Sequence, residues 1–278
     1  MDQYLELAKA KLADFEVWQK TFIGEETIKP MLKHTEIPVF FTFAYIAVVF
    51  YGQAFMANRK PLWLKPFVAL WNLGLATFSI LGALICVPYL IDIAGKKGYR
   101  WTVCTDPTTE DYFYHGPVGA WVYLFVLSKI PELVDTLFLV FQKKDVILLH
   151  WFHHFTVMLY CWSSWLMKSP TGIWFATMNF SVHAIMYSYY FFMCFSIGRK
   201  IVRPFAVIIT TLQIVQMVGG IGISITAYDY MMRDEKCNAL DPATCKMGLA
   251  MYISYFILFS QLFYKLYIAP KPKKQKTA

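Results

Sequence analysis

Three histidines, His150, His153 and His154, stand in an otherwise apolar run, Leu149-His-Trp-Phe-His-His-Phe155. Residues three and four apart share one side of a helix, so all three imidazoles project together. Two chemistries suit such a set. Imidazole binds zinc, copper or iron. A neutral imidazole also attacks an activated acyl group while a second one moves protons. A histidine-rich di-iron oxygenase or desaturase would need more ligands than these three and His183, even with Glu132 and Asp135 added. A metal-free site is therefore the expectation, with a metal-dependent lipid desaturase or hydroxylase as the alternative. Cys161 lies about 10 Å along the axis from His154, too far to act with it as a thiol nucleophile.

Other polar residues repeat the pattern. Lys129, Glu132, Asp135 and Thr136 fall on one helical face. Asn179, His183 and Tyr187 follow one another at single-turn spacing, and Thr210, Gln213 and Gln216 form a third series. Lys129 with Glu132 also reads as an ion pair that fixes packing. Gln213 and Gln216 also read as hydrogen-bonding links between helices.

The elements that hold these residues are membrane helices. The chain has 278 residues, of which 58% are hydrophobic and 16% charged, with a mean hydropathy of +0.44. That is too apolar for an ordinary soluble domain and points to an all-α polytopic membrane protein. Seven apolar segments, 37–57, 67–93, 117–141, 146–167, 171–196, 203–228 and 247–268, each approach the roughly 20 residues that cross a bilayer. They define a transmembrane unit over 37–268, between a polar tail of 1–36 and a basic tail of 269–278. Pro131 predicts a kink in the third segment. No nucleic-acid-binding signature accompanies the net charge of +8.

Lysine and arginine are richer on the side holding Arg59, Lys143, Lys144, Arg199, Lys200, Arg203 and Lys265, which predicts a cytosolic C-terminus and an N-terminus across the membrane. Cys104, Cys237 and Cys245 fall in the two long loops of the opposite side, where an oxidising lumen permits a bridge. Cys104–Cys237 is the expected pair. With this orientation, His150–His154 lie about 6–12 Å in from the cytosolic edge, and His183 about 20 Å in. Lys129–Thr136 and Thr210–Gln216 fall at similar depths. Each charge there costs about 2.5–3.5 kcal/mol on insertion scales. One polar chamber inside a helix bundle, open to the cytosol, accounts for all of them.

The motifs then carry a resemblance. Lys129-Ile-Pro-Glu132-Leu-Val-Asp135-Thr136 matches KxxExxDT, and His150-Trp-Phe-His153-His154 matches HxxHH. His183-Ala-Ile-Met186-Tyr187-Ser-Tyr189-Tyr190 matches HxxMYxYY, and Thr210-Thr-Leu-Gln213-Ile-Val-Gln216 matches TxxQxxQ. Four motifs in order on successive helices resemble the ELO family of fatty-acid elongases, and the surrounding wording is similar to the subgroup acting on long-chain saturated and monounsaturated acyl-CoAs. The resemblance implies seven helices, six of them forming a barrel around an acyl tunnel in the endoplasmic reticulum membrane. It implies condensation of acyl-CoA with malonyl-CoA to 3-oxoacyl-CoA, CO2 and CoA, with no cofactor, through an acyl group on His153. His150, His154 and His183 would assist, while Lys129, Glu132, Asp135, Thr136, Asn179, Tyr187, Gln213 and Gln216 would organise the chamber. A ketoacyl-CoA reductase, a dehydratase and an enoyl-CoA reductase are the implied functional partners, and a homodimer is possible.

Coenzyme A carries phosphates, and Lys143, Lys144, Arg199, Lys200, Arg203 and Lys265 ring the expected chamber mouth. Gly172, Trp174 and Met178 are candidates for the far end of an acyl tunnel. Lys274 and Lys276 resemble a dilysine retrieval signal of the endoplasmic reticulum.

Overall fold

The computed structural model describes residues 2–233, 237 and 239–270; the lysines of the proposed retrieval signal lie outside them. Helices follow in the order α1 (Asp2–Lys20), α2 (Glu25–Lys33), α3 (Glu36–Met56), α4 (Lys65–Lys97), α5 (Tyr99–Cys104), α6 (Gly116–Ser128), α7 (Val134–Phe141), α8 (Leu148–Leu166), α9 (Gly172–Met193), α10 (Ser196–Val202), α11 (Ala206–Arg233) and α12 (Pro242–Phe263). No strand occurs among the described residues, only an isolated bridge between Ile23 and His115. Proline occupies the first turn of α4, α6 and α12, where its missing N–H leaves no bond unmade. Asp241 caps α12, accepting from Thr244 N and Thr244 Oγ1 at 2.7 Å each. The bond from the Thr244 backbone N–H, with that from its hydroxyl, holds the Asp241 carboxyl below its usual range.

Large apolar side chains point outward. Phe40, Phe43, Leu84 and Ile91 are each at least 65% exposed, whereas Lys129, Glu132 and His183 are buried. This inversion of the soluble pattern belongs to helices solvated by lipid. Four helical runs are long and apolar enough to cross a membrane: Glu36–Met56, Lys65–Lys97, Ser196–Arg233 and Pro242–Ile268. The other three expected spans are those that carry most of the polar chamber. The segment expected at 117–141 is divided into α6 and α7 by a 3-10 turn at Pro131–Leu133. The kink expected at Pro131 is therefore a break, because proline removes one backbone donor and crowds the preceding turn. The segment expected at 203–228 runs on to Arg233 and is entered through α10 and a second 3-10 turn, Arg203–Phe205. The polar tail before residue 37 holds α1 and α2, and α1 lies against α6 through Phe15 and Gln19, whose side chains meet Trp121.

Helix pairs approach closely where a side chain is missing. A Cβ on Gly82 of α4 would fall 2.5 Å from the Phe180 ring of α9, and one on Gly220 of α11 would overlap the Tyr252 ring of α12. Both rings are buried. Gly82→Ala is expected to cost about 1–3 kcal/mol through overpacking, read as a lower unfolding temperature of the detergent-purified protein. Unchanged stability would mean that α4 and α9 separate freely. Cys104 and Cys237 are joined by a disulfide with S–S 2.00 Å, tying the end of α5 to the connection between α11 and α12, while Cys245 is a buried free thiol.

Candidate active site

A cavity of about 1190 Å³ runs from the histidines to the end of the bundle where the α3–α4, α7–α8 and α9–α10 connections lie. His150, His153 and His154 enter it from α8, Asn179, His183 and Tyr187 from α9, Asp135 from α7, and Gln213 and Gln216 from α11. The spacing that put these residues on common helix faces thus delivers them into one space.

The imidazoles are close neighbours. The ring centroids of His150 and His154 are 4.5 Å apart, and those of His153 and His154 are 5.5 Å apart. His150 Nε2 bonds Thr136 Oγ1 at 2.9 Å, and Tyr45 OH bonds the same oxygen at 2.8 Å. The Tyr255 ring of α12 packs 4.8 Å from His153, and its hydroxyl donates to the His153 carbonyl oxygen at 3.3 Å. Asn179 Nδ2 lies 3.1 Å from His183 Nε2, which makes the amide the donor and the ring nitrogen the acceptor. His154 Nδ1 has no partner among the described residues, so one imidazole keeps an unsatisfied nitrogen in the site.

A second layer holds this arrangement in place. Lys129 Nζ donates to Glu132 Oε1 at 2.7 Å and to Asn179 Oδ1 at 3.2 Å, so the buried ion pair also orients the amide that meets His183. The ammonium sits 4.0 Å from the centre of the Phe125 ring. Both carboxylate oxygens of Asp135 are occupied: Trp71 Nε1 donates to one at 2.6 Å and Tyr187 OH to the other at 2.8 Å. Gln213 Nε2 lies 3.2 Å from Met186 Sδ. Lys129, Glu132 and Thr136 do not line the cavity; they are buried behind it.

The basic residues divide. Lys144, Arg199 and Arg203 line the cavity, joined by Lys65, which the sequence argument left out of the mouth. Lys143 instead donates to the carbonyl oxygens of Ala57 and Arg59 at 2.7 and 3.2 Å, closing the end of α3, and Lys200 and Lys265 do not line the cavity. Gly172, Trp174 and Met178 do not line it either. The wall contributed by α9 begins at Asn179, and Gly172 and Phe175 border a separate void of about 30 Å³. Among the described residues no three His, Cys, Asp or Glu side chains are grouped as a metal site requires. Tyr45, Trp71 and Tyr255 were not legible as site residues. Each is an aromatic residue on an aromatic-rich span, with no spacing relation to the histidines.

Comparison with known proteins agrees with the motifs. Residues 30–275 match the model of the GNS1/SUR4, or ELO, family. Fatty acid elongase 3 of Trypanosoma brucei brucei is 42% identical, covering 92% of this chain and 90% of the relative. Very long chain fatty acid elongase 4 of Trypanosoma cruzi is 45% identical over 92% and 89% of the two chains. Very long chain fatty acid elongase 6 of Gallus gallus is 39% identical over 93% and 95%. With its histidine motif, its polar chamber and its match over nearly the whole length, this chain belongs to the ELO family of fatty-acid elongases.

Proposed function

We propose that the protein is the condensing enzyme of fatty-acid elongation and that it works through a histidine-bound acyl group. Family membership makes the chain an acyltransferase of the 3-oxoacyl-CoA synthase type, acting in lipid metabolism. The observation that carries the finer reading is the single cavity that joins four imidazoles to a basic mouth. An acyl thioester and a nucleotide-bearing carrier have opposite demands, and this cavity meets both.

The reaction divides into two half-reactions. A lone pair on one ring nitrogen of His153 attacks the acyl-CoA carbonyl carbon, the carbon–sulfur bond breaks, and CoA leaves as the thiol after taking up the proton that the imidazole releases. Acyl-imidazole remains activated toward carbon nucleophiles. Malonyl-CoA then enters and loses CO2. The electron pair of the broken carbon–carbon bond becomes an enolate, its carbon attacks the acyl group, and the carbon–nitrogen bond to His153 breaks. The departing ring nitrogen takes up one proton from water at the cavity mouth, so the product is 3-oxoacyl-CoA and neutral His153 is restored. His150, His154 and His183 supply donors to the charge that develops on the two carbonyl oxygens. Lys65, Lys144, Arg199 and Arg203 meet the phosphates of CoA, since guanidinium and ammonium groups pair well with phosphate.

The same reading gives the chain seven membrane spans, six enclosing the chamber, with α6, α7, α8 and α9 completing what the four most apolar runs begin. It places the protein in the endoplasmic reticulum membrane, the C-terminus in the cytosol and the Cys104–Cys237 bridge in the lumen. Reduction and dehydration of the product fall to a ketoacyl-CoA reductase, a dehydratase and an enoyl-CoA reductase. Incubation of the purified protein with malonyl-CoA and a panel of acyl-CoAs is expected to give 3-oxoacyl-CoA products two carbons longer. Absence of product at every chain length would refute the reading.

A further inference from the structure

Helix α3 supplies no residue to the cavity wall, yet it sends one hydroxyl toward it. α3 packs on α7 and α8, and Tyr45 lies at their junction in a buried cluster with Val49, Leu133 and Met158. Its hydroxyl meets Thr136 Oγ1, and Thr136 Oγ1 meets His150 Nε2. Tyr45 and Thr136 are both buried and neither lines the cavity, so neither touches a substrate. We propose that Tyr45, acting through Thr136, is a positioning residue that fixes the tautomer and ring orientation of His150. This rests on the condensation chemistry above.

The direction of the chain follows from counting hydrogens. A hydroxyl in the middle of a helix ordinarily bonds back to the carbonyl one turn earlier. Thr42, Thr156 and Thr210 do so, to Pro38, Phe152 and Ala206. Thr136 does not: its partners are Tyr45 and His150. Among the described residues Tyr45 OH has no partner but Thr136, so the phenol satisfies its proton by donating to that oxygen. Thr136 then has one hydrogen left, and it goes to His150 Nε2. An Nε2 that accepts puts the imidazole proton on Nδ1. Among the described residues Nδ1 of this cavity-lining ring has no partner, so His150 faces the site as a donor. A donor is what a thioester oxygen gaining negative charge requires.

Replacing Tyr45 with Phe keeps the ring and its packing but removes the proton that fixes the direction. Thr136 is then free to turn and accept from Nε2–H, which leaves a lone pair facing the substrate oxygen. Loss of one hydrogen bond's bias predicts that kcat for Tyr45→Phe falls about three- to tenfold with KM for acyl-CoA unchanged. Thr136→Val removes both bonds and is expected to lower kcat about 10- to 100-fold, with Thr136→Ser restoring most of it. The assay is product formation from acyl-CoA and malonyl-CoA by the full chain in detergent, with unfolding temperature measured in parallel. Wild-type kcat in Tyr45→Phe, or equal activity of Thr136→Val and Thr136→Ser, overturns the proposal while leaving the condensation reading intact. If Thr136→Val does not fold, Tyr45→Phe decides alone. An inactive wild type refutes the condensation reading and this proposal with it.

Discussion

His153→Ala forms neither 3-oxoacyl-CoA nor a covalent acyl-enzyme when incubated with acyl-CoA. Removing a nucleophile from a group that acts as a unit lowers turnover by about 10⁴-fold or more. His153 stands between two layers. One side of its ring packs on Tyr255, whose hydroxyl holds the backbone at the same residue, and His154 stands beyond. The side chain is therefore oriented while, among the described residues, neither ring nitrogen is held by a hydrogen bond, and a nucleophile needs a free ring nitrogen. His150 differs, because its Nε2 is held by Thr136. His183 differs too, because its Nε2 accepts from Asn179. Alanine at either is expected to slow turnover while a labelled acyl group is still captured. The measurement is acyl retention on protein after removal of free acyl-CoA, made without malonyl-CoA so that the first half-reaction is isolated. Wild-type labelling in His153→Ala would move the nucleophile elsewhere in the cavity.

The parts of this site that were legible in the sequence are those whose spacing is local. HxxHH placed three imidazoles on one side of α8 because a helix repeats every 3.6 residues, and the 4.5 Å between the His150 and His154 rings expresses that repeat. Depth along each span then joined α7, α8, α9 and α11, since a polar residue inside a membrane must face a polar neighbour. What depended on the lateral arrangement of helices was not legible. Trp71 reaches Asp135 across 64 residues of chain and Tyr45 reaches Thr136 across 91. An isolated tyrosine on an aromatic-rich span looks the same whether it faces lipid, as exposed Tyr51 does, or a buried threonine. The basic mouth was over-read for a related reason. Charge count places a lysine at a membrane edge, but only tertiary contacts show that Lys143 closes the end of α3 while Lys144 lines the cavity. Likewise Pro131 signalled a kink. Its completion as a 3-10 turn, with Glu132 inside it and paired to Lys129, depends on the buried partner.

That pair yields the second large effect. Lys129 and Glu132 are 2% and 3% exposed, so the interaction is not screened as a surface pair would be. Lys129→Met leaves the Glu132 carboxylate buried; among the described residues its remaining donor is Ser128 Oγ at 2.9 Å, and one oxygen already lacks a partner. Breaking a buried pair from one side costs about 3–5 kcal/mol, largely because the other charge is stranded. Removing both charges, in Lys129→Met with Glu132→Leu, replaces the pair by apolar contacts and is expected to recover most of that loss. Activity follows a different rule. Lys129 also donates to Asn179 Oδ1, and Asn179 in turn meets His183. The double variant removes the stranded charge but does not restore the bond that orients Asn179 toward His183, so its unfolding temperature returns toward wild type while turnover stays low. Unfolding in detergent and product formation, measured on both variants, separate the two roles. A Lys129→Met protein as stable as wild type removes the pair's part in the fold, and full activity in the double variant removes its part in holding His183.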